Sequence, residues 1–233
     1  MSLRRPKMRP AISNDRRFIV ALVGVSAFLA LQPVLSQARR EGGLQAGLVG
    51  VLFPLFGIWV ARDSRLHLII SSILSLLSVL GNVRHIGLPR IGSETFGTAT
   101  ALLFTGYTTV IILASVLRSQ RITLNVIAGA VAGYLMLGVT WAMVHLLIDQ
   151  CTASAYSVTL LDAAGLPNFP TAVYYSFTTL LTIGFGDITP TGSWARAMTV
   201  MEGVTGFIYG TVVVAWLVAN HVTQITAHKS GGE

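Results

Sequence analysis

The sequence predicts an all-α integral membrane protein with six transmembrane helices and a shorter re-entrant helix between the fifth and sixth. Of the 233 residues, 53% are hydrophobic and 11% charged, and the mean hydropathy is +0.69, which excludes an ordinary soluble domain. Six apolar runs approach the roughly 20 residues that cross a bilayer. A seventh run, 169–181, is too short to cross and leads into a glycine-rich segment.

The six predicted spans are separated mainly by short polar connections that are too short to fold independently. They run Phe18–Leu35, Leu44–Ala61, Leu66–Val83, Phe96–Leu117, Ile122–Ile148 and Ala197–Val222. The first run also fits a secretory signal peptide, because basic residues precede it and Ser36 and Ala38 fit a cleavage site. Its apolar stretch is long for that role, so we expect it to remain as a helix.

The distribution of basic residues predicts the orientation in the membrane. Six of the 16 Lys and Arg residues precede the first span, and with the N-terminus inside, the inner segments carry 11 and the outer segments five. Both termini are therefore predicted to be cytoplasmic, and the connection 149–196 external. The basic N-terminus fits the surface of a cell membrane with anionic lipid headgroups, and we expect a prokaryotic plasma or inner membrane. No binding motif accompanies it, so a nucleic-acid partner is not predicted.

Nothing in the sequence predicts an enzyme or a bound cofactor. The single cysteine, Cys151, excludes an intrachain disulfide. His67, His85 and His145 lack the spacing of metal ligands, and no nucleophile motif accompanies them. His145 and His221 are candidate pH sensors near the two ends of the predicted membrane region, although histidines in such positions are mostly interfacial.

The short apolar run in the external connection predicts a re-entrant helix over Phe169–Leu181. Pro170 fits the first turn of a helix, where its missing N–H would have had no helical partner. The run that follows it, 182–187, contains two glycines and would be non-helical at membrane depth. Such backbone persists only where protein or a water-filled cavity surrounds it, so we expect the re-entrant helix to be buried in protein.

The segment 182–187 reads Thr-Ile-Gly-Phe-Gly-Asp, which resembles the Thr-Val-Gly-Tyr-Gly-Asp signature of the potassium channel superfamily. The match includes a short helix before the motif and a full span on each side, as in prokaryotic-type six-transmembrane subunits with one pore loop. The resemblance implies that K⁺ is the permeant ion and that carbonyl rings replace its water. It also implies a homotetramer, because a ring needs four copies. The implied ion-binding residues of this selectivity filter are Thr182, Ile183, Gly184, Phe185 and Gly186.

The resemblance also implies how the filter is held. Successive carbonyls face one axis only if alternate residues adopt backbone conformations that Gly184 and Gly186 tolerate. The side chains of Ile183 and Phe185 would then pack against the pore helix. Asp187 would accept a hydrogen bond behind the filter, and the candidate donors are Tyr174 and Tyr175.

The sixth span contains further residues that match channel pores. Glu202 is an acid inside an apolar span, and we predict that it bonds to the back of the pore helix near Thr178 or Thr179. Gly206 stands at the usual hinge position, although with Gly210 it also forms a G-x-x-x-G pair typical of close helix packing. The predicted cavity lining lies at helical spacing and comprises Phe207, Gly210, Val214 and Val218.

The first four spans resemble a voltage-sensor module that has lost its charges. The fourth span, Phe96–Leu117, contains no Lys or Arg, so weak or no voltage dependence is expected. The expected domains are a basic N-terminus, a four-helix module, a pore domain and a short tail without a soluble ligand domain. Their bounds are 1–17, 18–118, 119–222 and 223–233.

The sequence therefore predicts a potassium-selective channel subunit that conducts K⁺ passively as a homotetramer. Two alternatives stay open. A non-selective cation channel would use the same scaffold with fewer ion sites. A non-conducting membrane sensor or transporter would use the first four spans as its working part, although the sequence shows no paired broken helices.

Overall fold

The computed structural model describes residues 16–40, 65–82, 94–119, 121–152, 154–159, 163–166 and 168–230, and these are mostly helical. One short stretch of π-helix, Tyr209–Val213, joins the last two helices. The α-helices are α1 Arg17–Arg40, α2 Arg65–Asn82, α3 Glu94–Leu117, α4 Leu124–Cys151, α5 Phe169–Leu180, α6 Ser193–Ile208 and α7 Val214–Ser230.

Three of the predicted spans correspond to helices that are long and apolar enough to cross a membrane. They are Thr95–Leu117, Leu124–Cys151 and Ser193–Gln224. The first and third predicted spans fall on the shorter apolar helices Arg17–Gln32 and Arg65–Ser78. The second predicted span, Leu44–Ala61, lies outside the described residues.

Helices α2 and α3 bury many hydroxyl side chains and expose many large apolar ones. The buried face of α3 also contains Phe104, Ile112 and Val116. The buried residues include Ser71, Ser75, Ser78, Thr98, Thr100, Thr105, Thr108 and Thr109, and the exposed ones include Leu66, Ile69, Ile73, Leu76, Leu103 and Val110. Helices that pack through small polar residues and face outward with aliphatic ones are typical of a lipid environment.

Helix α4 lies at the centre of the described structure and contacts α1, α3, α5 and α6. The Asn125 carboxamide oxygen accepts the Phe18 and Ile19 amides at 3.1 and 3.2 Å, which satisfies two otherwise unpaired donors at the start of α1. At Gly129 an added Cβ would lie 2.9 Å from both Phe18 and Val116. Small residues on α4 thus allow its neighbours to approach closely.

The connection 149–196 contains a small β-sheet that the all-α prediction missed. Strands β1 Tyr156–Val158, β2 Ala163–Ala164 and β3 Ile188–Pro190 pair antiparallel in the order β2-β1-β3. Such strands of two or three residues carry no readable alternation in sequence. Because β3 directly follows the glycine-rich segment, the sheet holds the outer end of that segment.

Helix α5 begins at Phe169 as predicted and carries a complete N-terminal cap. The Asn168 side chain accepts the Thr171 amide and the Thr171 hydroxyl, both at 3.0 Å, and Pro170 occupies the first turn. We expect Asn168→Ala to lower the free energy of unfolding by about 1 kcal/mol per subunit, since the cap bond is lost. Thermal unfolding of the detergent-solubilised protein measures this, and Asn168→Asp, which preserves the cap, should match the wild type.

Candidate functional site

The segment 182–187 has an alternating backbone conformation. Thr182, Gly184 and Gly186 have φ values of +57°, +55° and +80°, whereas Ile183 and Phe185 lie outside the positive-φ region. The sequence predicted an unusual backbone conformation only at Gly184 and Gly186. The positive φ of Thr182 was not predicted. Alternation of this kind turns successive carbonyl groups toward the same side of the segment, which an ordinary strand cannot do.

The N-terminal end of this segment is hydrogen-bonded to the C-terminus of α5. The Thr178 carbonyl oxygen accepts the amides of Ile183 and Gly184 at 2.8 and 3.1 Å, and the Thr179 carbonyl accepts the Thr182 amide at 2.9 Å. These carbonyls have no helical partner, so the bonds satisfy the end of the helix and offset the strained Thr182 backbone. Thr178, predicted to support the filter, contacts it through its backbone.

Two contacts hold the C-terminal half of the segment, one from the Tyr174 side chain and one from the Thr159 main chain. The rings of Tyr174 and Phe185 lie parallel with centroids 6.4 Å apart, and a Tyr174 side-chain hydrogen bond reaches Asp187. The main-chain oxygen of Asp187 also accepts the Thr159 amide at 2.9 Å. Ile183 and Phe185 remain 50% and 68% exposed on the single chain. Of the two predicted donors to Asp187, the structure places Tyr174 beside it.

Tyr175 points to the opposite side of α5. Its hydroxyl lies 2.7 Å from that of Thr199 on α6, and its ring meets those of His145 and Tyr156 edge-on. Tyr175 therefore belongs to a buried cluster behind the helix and not to the contacts of Asp187.

Glu202 lies in that cluster and does contact α5, but at a different residue from the one predicted. Its Oε1 lies 2.5 Å from the Ser176 hydroxyl, whereas the Thr178 hydroxyl donates to the Tyr175 carbonyl. The prediction of Thr178 or Thr179 was thus wrong by about half a turn. Glu202 Oε2 lies 2.7 Å from His145 Nε2, and both side chains are fully buried.

His145 links Glu202 to the β-sheet. Its Nδ1 lies 2.6 Å from the Tyr156 hydroxyl on β1. Burial raises the pKa of that hydroxyl, so Tyr156 stays protonated across the physiological range. His145 is buried within the protein, because its ring is enclosed by Trp141, Tyr156 and Tyr175.

The sequence analysis did not identify Ser176 or Tyr156 as members of this cluster. One sequence signal could have paired Glu202 with His145. An acid inside an apolar span requires a partner, and His145 is the ionisable residue of the fifth span that lies in its outer half. Ser176 and Tyr156 had no comparable signal, because a hydroxyl on a short helix or strand has many partners available.

Gly206 is packed directly against α5. An added Cβ would collide with the Leu180 carbonyl oxygen, and it would lie 3.0 Å from the Leu180 carbonyl carbon. This contact supports the interpretation of Gly206 as a close-packing residue. Its role as a hinge stays a prediction. The irregular π turn begins three residues later, at Tyr209. The four residues proposed for the cavity are all exposed, with Gly210 in the π turn: Phe207, Gly210, Val214 and Val218.

Comparison with known proteins identifies what this arrangement belongs to. A family model described as Ion channel matches residues 122–222, which include α4, the glycine-rich segment and the last two helices. Protein LctB of Geobacillus stearothermophilus is 30% identical over 120 residues, which cover 51% of this chain and 88% of LctB. The chain belongs to the ion-channel family. No solved structure matches it significantly.

This membership confirms the resemblance to the potassium channel superfamily and makes the chain a membrane channel subunit. The matched region contains every predicted site residue. Within the described residues, no cluster of three or more His, Cys, Asp or Glu could hold a metal ion.

Proposed function

We propose that this ion-channel chain is a potassium-selective subunit that conducts K⁺ passively as a homotetramer. The observation that carries the proposal is the alternation of positive φ at Thr182, Gly184 and Gly186. Four copies around one axis would bring rings of carbonyl oxygens from 182–185 together with the Thr182 hydroxyl. Such rings replace the water that K⁺ sheds.

The exposed surface of the single chain supports assembly. The whole segment 181–186 is exposed, as are the side chains proposed for the cavity. One loop can line only one side of an ion path. Three further copies of the chain would line the other sides. A cross-linked or native-mass measurement of the solubilised protein should give four chains.

The proposed topology has six spans, a re-entrant α5 and both termini in the cytoplasm of a prokaryotic cell. The apolar outward faces of α2 and α3 would meet lipid. The chain would divide into the basic N-terminus 1–17, the membrane module 18–118, the pore domain 119–222 and the tail 223–233. Gly206 is kept as a candidate hinge, acting together with the π turn that follows it.

Ion substitution in liposomes tests the proposed function. With K⁺ inside and Na⁺ outside, the reversal potential should follow the K⁺ gradient. A reversal potential near zero would instead indicate the non-selective cation channel. An intact tetramer that carries no flux of either ion would indicate the non-conducting sensor.

We also expect conduction to depend only weakly on voltage. Moving one elementary charge through the field is worth about 2.3 kcal/mol per 100 mV, and α3 contains no Lys or Arg between Glu94 and Leu117. Arg118 and Arg121 follow at its predicted cytoplasmic end, outside most of the field. Current families recorded between negative and positive potentials should yield less than one gating charge per subunit, and several charges per subunit would contradict this.

A further inference from the structure

Four consecutive short contacts cross the back of α5 between the external sheet and α4. They begin at the Tyr156 hydroxyl, 2.6 Å from His145 Nδ1, and continue from His145 Nε2 to Glu202 Oε2 at 2.7 Å. Glu202 Oε1 then lies 2.5 Å from Ser176 Oγ, which lies 2.7 Å from the Gly138 carbonyl oxygen. Four side chains of the row, Tyr156, His145, Glu202 and Ser176, are at most 1% exposed.

The hydrogens available to Ser176 determine the protonation state of Glu202. The Gly138 carbonyl has no hydrogen, so its bond with Ser176 must use the one hydrogen of the serine hydroxyl. The 2.5 Å contact between Ser176 Oγ and Glu202 Oε1 then needs a hydrogen from Glu202. If Ser176 donated to an ionised Glu202 instead, two oxygens 2.7 Å apart would face each other without a hydrogen at Gly138.

We propose that Glu202 is held as a neutral carboxylic acid and His145 as a neutral imidazole, and that the two residues position the pore helix. Every donor then points the same way. Tyr156 donates to His145 Nδ1, His145 Nε2 donates to Glu202 Oε2, Glu202 Oε1 donates to Ser176, and Ser176 donates to Gly138. All four contacts are satisfied, and hydrogen bonds aligned in this way strengthen one another.

The surroundings of the pair favour the uncharged form. The titratable groups that face it are Tyr134 from α4, Tyr156 from β1 and Tyr175 from α5, with Asp149 beyond Tyr156. None of these is a cation. Arg196, on the same helix as Glu202, is exposed and donates to the Pro190 carbonyl. A carboxylate here would lie in a fully buried site without a fixed positive partner, which is costly.

The position of the row explains how it acts on the filter. Ser176 lies two residues before Thr178, whose carbonyl accepts two filter amides. Tyr156 lies on the strand that pairs with β3, directly after the filter. Gly138 permits the close approach of α4, because an added Cβ would lie 2.6 Å from the Phe177 ring. The row thus fixes α5 between the sheet and α4, so this role depends on the proposed filter function.

Infrared spectroscopy of the purified full-length protein tests the protonation state directly. The wild type should show a carboxylic-acid C=O band that shifts in D₂O and is missing from Glu202→Gln. Asp149→Asn is the matched control, because it removes a neighbouring acid outside the row and should keep the Glu202 band. A wild type without such a band, or a band that persists in Glu202→Gln, would overturn the proposal.

Potassium flux in liposomes tests the positioning role. Glutamine reproduces a neutral acid, since its amide can donate to Ser176 and accept from His145, so Glu202→Gln should stay within about twofold of the wild type. Glu202→Ala leaves both neighbours unsatisfied and should lower flux at least about tenfold (roughly 1.4 kcal/mol). Equal loss of flux in the two folded variants would contradict the neutral pair.

The pH profile of the flux tests whether the pair of Glu202 and His145 stays uncharged. Since neither residue changes charge, wild-type flux should stay flat from about pH 5 to pH 8, where an accessible histidine would titrate. A step in that range that disappears in His145→Gln would refute the assignment. If the wild type carries no K⁺ flux at all, the proposed function fails, whereas the infrared band still decides the state of Glu202.

Discussion

Gly184→Ala should abolish potassium-selective flux while leaving the protein folded. Gly184 has φ of +55°, where a residue with a Cβ costs roughly 1–2 kcal/mol. In a homotetramer the cost is incurred four times around one axis, about 4–8 kcal/mol in all. We expect the alanine backbone to relax to negative φ, which turns its carbonyl away from the proposed ion path and removes a ring of ligands.

The measurement is K⁺ flux and reversal potential in liposomes, with the native mass of the complex recorded in parallel. Gly203→Ala is the matched control, since Gly203 lies in α6, has no positive φ, and an added Cβ there meets nothing within 4 Å in the chain. It should conduct like the wild type. Unchanged selectivity in Gly184→Ala would mean that the alternating backbone of 182–186 does not set the ion sites.

The local features of the site could be read from sequence because their causes are local. Pro170 in the first turn and a break at the glycine-rich motif predicted a helix over Phe169–Leu181, and the structure has Phe169–Leu180. The requirement for positive φ at Gly184 and Gly186 likewise follows from the residue type. The positive φ of Thr182 was not predicted, because it depends on hydrogen bonds that the amides of residues 182–184 donate to the Thr178 and Thr179 carbonyls.

The parts that could not be predicted depend on contacts between distant segments. Glu202 was recognised as an acid that needs a partner, but the choice of Ser176 over Thr178 depends on how α6 is rotated against α5. The three-stranded sheet has strands of two or three residues, held by pairing between 156–158 and 188–190. Burial of His145 arises from aromatic rings on three different elements.

Gly206→Ala should destabilise the protein and disturb the proposed filter, because α6 and α5 can no longer approach each other. The added methyl group would overlap the Leu180 carbonyl oxygen, which is backbone and cannot move aside by a rotamer change. That carbonyl also accepts a hydrogen bond from the Tyr134 hydroxyl at 3.3 Å. Leu180 lies two residues before Thr182, where the proposed filter begins. Overpacking of this kind costs about 1–3 kcal/mol per subunit.

Thermal dissociation of the solubilised complex and the reversal potential together separate the two roles of Gly206. A close-packing glycine predicts a less stable complex with weakened selectivity, whereas a pure hinge predicts normal stability and selectivity with an altered open probability. Gly210→Ala supplies the matched control from the same G-x-x-x-G pair, since an added Cβ there meets nothing within 4 Å of the chain. Equal stability of the two variants would show that α6 bends at Gly206 to accommodate a side chain, as a hinge does.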